Sequence, residues 1–575
     1  MSERELLGLS AAGGVAVGRA LILRDEHPVA QGEGGEEEQR RAARALSDVA
    51  AELGRAAERL RTAGRVDEAE ILEANRLMAE DPALAQEVQA LAAKTAAASA
   101  VLQATERHAA LLESLPDELL AARAADVRGL GRRAARLLAG EPTQLAPLRP
   151  AIVIARDIGP ADMAELDLVG GRIRGFALAE GGATSHAAIM ARALGLPLVV
   201  GLGDEILTAA DGELVALDGG EGSAVLDPGE ERLERALRIV HEQKRSRRRR
   251  AASRTLPAVT RDGRKVRLLC NASTAGEVSS GLAAGADGVG LLRTELAFLE
   301  TGDWPTDAQH ADALAPALAL LTGRTATVRT LDFGADKTPP FLAGITQRGL
   351  ALSLAHPAEF EAQLRAILET GASTDLRVLL PLVRDAEELS KARALLDKAL
   401  ESVRWSGPPP ALGAMIETPE AASRADEIAA EADFLSIGTN DLVQYTLGLD
   451  RDLPLATVQA AADPEVLGHI AEVVKAARAN ELTVEVCGEA AGEAPLVVLL
   501  VGLGVDELSV APARLDEVRT IVRRISAAKA AQAAGWAVAA DSARQALAFA
   551  DEVLSVGEPG HDRGELLDGL GGVVA

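Results

Sequence analysis

Residues 172–201, RIRGFALAEGGATSHAAIMARALGLPLVVG, read as a strand, a tight turn, a helix and a second strand. The run ending at Glu180 is short and apolar, Gly181 and Gly182 supply the turn, and from Ser185 the apolar residues Ile189, Met190 and Leu194 fall at helical spacing. This puts a single histidine, His186, at the mouth of a helix, where unpaired N–H groups and a partial positive charge favour an attached anion. Neutral imidazole is also a nucleophile near pH 7, so a phosphate carrier is one use of the position. A histidine that only hydrogen-bonds its loop is the other, and the position alone leaves both open.

Outward from this stretch, the same short apolar runs continue through AIVIA, ELVALD and SAVLD between Ala151 and Leu226, and residues 1–25 add GLSAAGGVAVGRALIL. Between them the chain from Glu36 to about Leu138 is rich in Ala, Glu, Arg and Leu and is broken at Asp81-Pro82 and Leu115-Pro116, which predicts a helical subdomain. Glu230 to Ala252 predicts a charged linker helix. Its RSRRRR end (245–250) is short, lacks aromatics and sits in an acidic chain, so it reads as a solvated face rather than a nucleic-acid site.

Beyond it, eight apolar strands recur, each followed by a helical stretch: VRLLC ending at Cys270, GVGLL at Leu292, ATVRT at Thr330, LRVLL at Leu380, LGAMI at Ile416, DFLSI at Ile437, TVEVC at Cys487 and DELSV at Val510. That is the pattern of a (β/α)₈ TIM barrel, whose chemistry sits at the C-terminal strand ends. There stand Asn271, Arg293-Thr294-Glu295, Arg329 with Asp332 and Lys337 beyond, Glu417, Asn440-Asp441 and Cys487-Gly488-Glu489. Arginine forks suit phosphate oxygens, and Glu417 with Asp441 offers carboxylate oxygens to Mg²⁺. Singly, each residue is more often an ordinary polar group; their shared place at strand ends is what points to a site.

The fold class expected is therefore multidomain α/β: an α/β domain (1–30 and 145–228) with an inserted helical subdomain (31–144), a linker helix (229–256), a C-terminal TIM barrel (257–540) and a tail (541–575). A chain of 575 residues is too long for one core. The net charge of −26 disfavours nucleic acid and leaves a basic protein as the more natural partner. Two cysteines far apart in sequence exclude a disulfide framework, and Cys270 reads as structural. No apolar run approaches the roughly 20 residues that span a bilayer, so no membrane insertion and a cytoplasmic location are expected.

The segment Gly-Gly-x-Thr-Ser-His-x-x-Ile-x-Ala-Arg followed by Gly-Leu-Pro-x-Val-Val-Gly resembles the phosphohistidine motif of the phosphoenolpyruvate (PEP)-utilising enzymes, and within them the enzyme I family of the sugar phosphotransferase system. GADGVGLLRTE (285–295), VRTLDFGADK (328–337), IETPEAA (416–422), DFLSIGTNDLVQYTLGLDR (433–451) and VCGEAAG (486–492) extend the likeness to about residue 525. The resemblance implies a swivelling phosphohistidine domain and a PEP-protein phosphotransferase. In it His186 takes the phosphoryl group from PEP, releasing pyruvate, and passes it to a histidine of an HPr-like carrier docked on the helical subdomain. It further implies that Arg293, Arg329, Asn440, Asp441 and Arg451 contact the substrate, that Glu417 and Asp441 hold Mg²⁺, that Cys487 protonates the enolate, and that the barrel forms a homodimer. Departures from the family pattern are Ala183 for arginine, Asn75 for histidine, and a shortened loop before Arg348 with Ala351 for a second arginine. They motivate one alternative, a PEP-binding regulatory or scaffold paralogue. An ATP-dependent dikinase would need a nucleotide-binding domain ahead of the histidine, where only 185 residues stand.

Overall fold

The computed structural model describes residues 3–23, 32–62, 66–114, 118–140, 150–159, 172–182, 185–299, 301–334, 338–449 and 458–555. The chain divides into two compact units, Met1–Arg247 and Arg248–Ala575.

In the first unit the apolar runs form an eight-stranded sheet of β1 (Arg4–Leu7), β2 (Leu9–Ala12), β3 (Val15–Ile22), β4 (Ala151–Ala155), β5 (Ile173–Leu178), β6 (Leu198–Val200), β7 (Leu214–Asp218) and β8 (Ser223–Leu226). Their order is β1-β8-β7-β3-β4-β5-β6-β2. The central strands β3 to β6 run parallel, whereas β1, β8, β7 and β2 join antiparallel. β4 shows why AIVIA is apolar throughout: Ala151, Val153 and Ala155 face a core shared with the helices, while Ile152 and Ile154 face a second core on the other side. The inserted region forms helices Glu36–Thr62, Val66–Ala79, Pro82–Ala92, Ala97–Glu113 and Glu118–Leu138. The break read at Asp81-Pro82 is a cap: the Asp81 side chain accepts from Ala83 N and Pro82 takes the first helical position, where its missing N–H costs nothing. The break at Leu115-Pro116 lies outside the described residues.

In the second unit β9 (Arg267–Ala272), β10 (Gly288–Leu292), β11 (Thr325–Arg329), β12 (Asp375–Leu380), β13 (Ala411–Ile416), β14 (Phe434–Ile437), β15 (Thr483–Val486) and β16 (Glu507–Val510) close into an all-parallel barrel, with β9 joining β10 and β16. All eight sequence-predicted strands are present, each within two residues of its expected end. Period-two alternation sorts the side chains: Leu268, Cys270 and Ala272, or Val484 and Val486, pack outward in the core shared with the helices, leaving Arg267, Leu269, Asn271 and Glu485 for the barrel interior. Helices start where capping residues follow a strand. Thr274 and Thr306 form reciprocal capping boxes with Glu277 and Gln309, and Asp385 and Thr418 cap through their side chains.

The linker helix spans Glu230–Ala252, as the sequence predicts. The barrel unit continues further than the expected boundary at residue 540, because Ala543–Ser555 is a helix whose Ala546 and Ala550 enter the barrel's core cluster. Its two fully buried positions are alanines, and Leu547, Phe549, Val553 and Leu554 pack half-buried against the same core.

Candidate active site

At the C-terminal strand ends a cavity of about 390 Å³ is lined by Arg293, Arg329, Arg348, Glu417, Asp441 and Cys487, with Asp332, Thr439, Asn440 and Glu489 also on its wall. Arg329 ends β11 almost wholly buried; its Nη2 donates to Glu295 Oε1 at 2.8 Å, and its Nη1 lies 3.4 Å from Asp332 Oδ2. Burial pulls this guanidinium down, but Glu295, Asp332 and Glu417 more than offset it and hold it above the ordinary arginine value. It is a fixed positive charge. Arg348 reaches Asp332 at 3.4 Å and Asp441 at 3.7 Å, and the same balance of burial against carboxylates raises it too. Arg293 also lines the cavity and makes no ion pair among the described residues.

Glu417, directly after β13, accepts from Leu382 N at 2.8 Å. Burial first, then the carboxylates of Asp441 and Asp332, push it up to about 8, with Arg329 opposing. Carboxylates crowded this way are relieved by a cation. No cluster of three or more potential metal-ligating side chains occurs among the described residues. Two carboxylates nonetheless fit Mg²⁺, which takes its remaining ligands from water and phosphate oxygens. Asn440 and Asp441 lie in the first turn of helix Thr439–Leu447, and Asn440 Oδ1 accepts from Glu489 N at 3.0 Å, tying the loops after β14 and β15 together.

Cys487 follows β15 and is nearly inaccessible. Its thiol donates to Ile437 O at 3.8 Å and accepts from Ser436 Oγ at 3.4 Å. Burial, then the neighbouring Glu485, push it up to about 12, so the sulfur carries its proton at neutral pH. Cys270 is buried on the outer face of β9, away from the cavity, as a structural residue.

In the first unit, helix His186–Leu194 begins at His186, with Ser185 as its N-cap accepting from Ala188 N at 3.3 Å. Gly181 opens the preceding turn at φ 104°, a conformation that side-chain-bearing residues rarely adopt. The His186 side chain, Ala183, Lys337 and Arg451 lie outside the described residues. The structure thus brings together Arg293, Arg329, Asn440, Asp441, Glu417 and Cys487 of the sequence-expected set. Asp332, read in sequence as part of the strand-end ring without a role of its own, is there too, and the structure adds Arg348, which the sequence reading names without assigning it to the site. Arg348 lies 16 residues beyond Asp332 and far outside any strand end, so strand periodicity gave it no signal. Glu485 was missed because TVEVC reads as an ordinary buried strand.

Three family descriptions match successive parts of the chain: the PEP-utilising enzyme N-terminal region over residues 7–123, the mobile domain over 147–222 and the PEP-binding domain over 247–527. Phosphoenolpyruvate-protein phosphotransferase of Streptomyces coelicolor is 38% identical over 574 residues, 96% of this chain and 100% of that one. The protein of the same name from Haloferax volcanii is 36% identical, covering 84% of this chain and 87% of the relative. A multiphosphoryl transfer protein of Xanthomonas campestris is 36% identical over 95% of this chain and 67% of its own length. A solution structure of Enzyme I (nEIt) protein matches at 33% identity over 42% of this chain and 99% of that one, with a TM-score of 0.33. With a closed barrel carrying this arginine, carboxylate and thiol constellation, and a relative matched over its whole length, the chain belongs to the PEP-utilising enzymes, in the family of the phosphoenolpyruvate-protein phosphotransferases.

Proposed function

We propose that this chain is a PEP-protein phosphotransferase that charges His186 from PEP and hands the phosphoryl group to a histidine of a carrier protein. The observation that carries this reading is the barrel-mouth cavity on which three arginines, three buried carboxylates and a protonated thiol converge. A pure binder or scaffold needs the arginines but not the thiol, and no observation favours that alternative.

Arg293 and Arg329 neutralise the phosphate and carboxylate of the substrate, with Asn440, Asp441 and Arg451 as further contacts. Glu417 and Asp441 hold a divalent ion, Mg²⁺ by the hardness of their oxygens, and the bound ion supplies charge neutralisation at the phosphate. The His186 ring nitrogen forms the N–P bond as the bond from phosphorus to the enol oxygen breaks. Cys487 then gives the enolate its proton: a C–H bond forms at the methylene carbon as the S–H bond breaks, and pyruvate results. Onward transfer needs His186 to face a carrier instead of the barrel, which gives the α/β domain its swivelling role and the helical subdomain its docking role for an HPr-like partner. A homodimer through the barrel and a cytoplasmic location complete the proposal; among the described residues no helix is long and apolar enough to cross a membrane.

Intact mass after incubation with PEP and Mg²⁺ tests it. Acid-labile addition of one phosphoryl group with release of pyruvate is expected, absent in His186→Ala and with ATP alone. A folded protein that stays unlabelled with PEP would sink the transfer reading and leave the scaffold alternative.

A further inference from the structure

Below the thiol lies an acid for which the proposed reaction has no use. Glu485 precedes Cys487 by two residues on the strand, so both side chains face the barrel interior, and Glu485 is fully buried. Around it, Glu507 on β16 takes up Arg377 of β12 at 2.8 Å and Arg267 of β9 at 2.5 Å. Neither arginine pairs with Glu485, and no described donor is directed at either of its oxygens. Room for its carboxyl exists only because residue 290 is glycine: a Cβ there would stand 2.0 Å from Glu485 Oε1 and 2.5 Å from Ser509 Oγ.

The hydrogen-bond directions around it are forced. The carbonyl of Cys487 can only accept, so the amide donor Asn271 Nδ2 must face it, at 2.9 Å. Asn271 Oδ1 then faces Ser509 Oγ at 2.6 Å, and the single hydroxyl proton of Ser509 is committed there. Ser509 Oγ, which shares with Glu485 Oε1 the space beside Gly290, therefore has only lone pairs to offer that carboxyl. Two acceptors can share a bond only if the carboxyl brings the proton.

We infer that Glu485 is a positioning residue for Cys487: as a neutral acid inside the barrel it heads a one-way chain, Glu485 to Ser509 to Asn271 and, from the same amide, to the Cys487 carbonyl, that fixes the thiol at the cavity floor. Burial, then the Glu507 carboxylate, push this acid well above the usual carboxylate range, with Arg377 opposing, in keeping with a retained proton. Arg267 faces it from β9, while Glu417 and Arg329 face the thiol from β13 and β11. When the pH rises far enough to ionise Glu485, its donor is lost and the chain has no head.

The inference rests on Cys487 being the proton donor, and the test separates the two. Pyruvate release by the full-length protein, with PEP and Mg²⁺, is followed from neutral to alkaline pH for the wild type and for Glu485→Gln, Glu485→Ala, Ser509→Ala and Cys487→Ala. Glutamine keeps a donor but cannot ionise, so it is expected to retain wild-type kcat at neutral pH and to lack the part of the wild-type alkaline decline that Glu485 causes. Glu485→Ala and Ser509→Ala, which break the chain at two points, are expected to lose about tenfold or more in kcat with the KM for PEP unchanged. Wild-type kcat in Ser509→Ala, or an alkaline decline identical in Glu485→Gln and the wild type, would overturn the inference. Wild-type pyruvate release by Cys487→Ala would instead overturn the thiol reading beneath it.

Discussion

The floor and the mouth of the barrel use the same residue types to opposite ends. At the floor, Arg377 and Arg267 meet Glu507 at 2.8 and 2.5 Å, and Arg267 goes on to Thr325 Oγ1 at 2.6 Å, which donates to Asp375 at 2.8 Å. Each cation there is held by a carboxylate of the fold. At the mouth, Arg329 alone of the three cavity arginines is held as closely, by Glu295 at 2.8 Å; the contacts lengthen to 3.4 and 3.7 Å for Arg348, and Arg293 makes no ion pair among the described residues. Charges that satisfy one another hold a barrel shut; charges left facing a cavity are available to something that enters it.

That contrast is broken most directly at Arg293. With no described ion-pair partner to leave behind, Arg293→Gln should leave the unfolding midpoint unchanged, yet lower kcat/KM for PEP by about 10²–10³, the scale for losing one aligned charged donor. Steady-state pyruvate release beside a urea titration checks both halves. A large fall in stability with little loss of rate would make Arg293 a structural residue and erase the distinction.

Glu507→Ala is the converse. It strands two arginines inside the barrel, and removing one partner of a buried ion network costs on the order of 3–5 kcal/mol. The urea transition reporting on the barrel should move to lower denaturant, whereas the cavity residues that would meet PEP stay in place under conditions where the variant is folded. Wild-type stability in this variant would mean the floor network is not what holds these strands.

How much of this was legible in sequence follows from the same contrast. The eight strands stood out because each is a short apolar run ending in a polar cluster, and the mouth residues follow those ends directly, as with Arg293, Glu417 and Cys487. The floor network was not legible: Arg267, Thr325, Asp375 and Glu507 lie at strand beginnings, where a charge looks like an ordinary loop boundary, and only the closed register brings them together. Glu485 was hidden for a related reason. Its neighbours Val484 and Val486 mark a buried strand, and that strand's inward face becomes polar only because Ser436, Ser509 and Asn271 meet there from three other strands. In the first unit the helix start at His186 was legible from the glycine turn and the apolar spacing that follows it, whereas the cap that Ser185 provides is a finding of the structure.

The smallest effect expected lies beside the mouth, in a layer of rings that backs its loops. The chain is only 2% aromatic, yet Phe298, Trp304, Phe333 and Phe341 gather on the loops after β10 and β11, where Glu295 and Asp332 stand. His310 packs edge-on to Phe298 with ring centroids 4.9 Å apart, and its Nδ1 has no described hydrogen-bond partner. Burial holds this imidazole down to about 4 from an ordinary 6.5, with Asp307 opposing. The ring is therefore neutral in the folded protein at pH values where the unfolded chain already binds a proton. Above about 6.5 the two states bind equally and the contribution to stability is complete; as the pH falls from there to about 4 it is progressively lost, and below 4 the loss is constant. A shift of this size corresponds to at most about 3 kcal/mol. His310→Phe keeps an apolar ring and removes the titration, so the difference between wild-type and variant urea midpoints should move in the variant's favour between pH 7 and pH 4. Parallel pH profiles would mean that His310 binds its proton without leaving the layer, and the wall of the mouth would then be polar where its rings make it apolar.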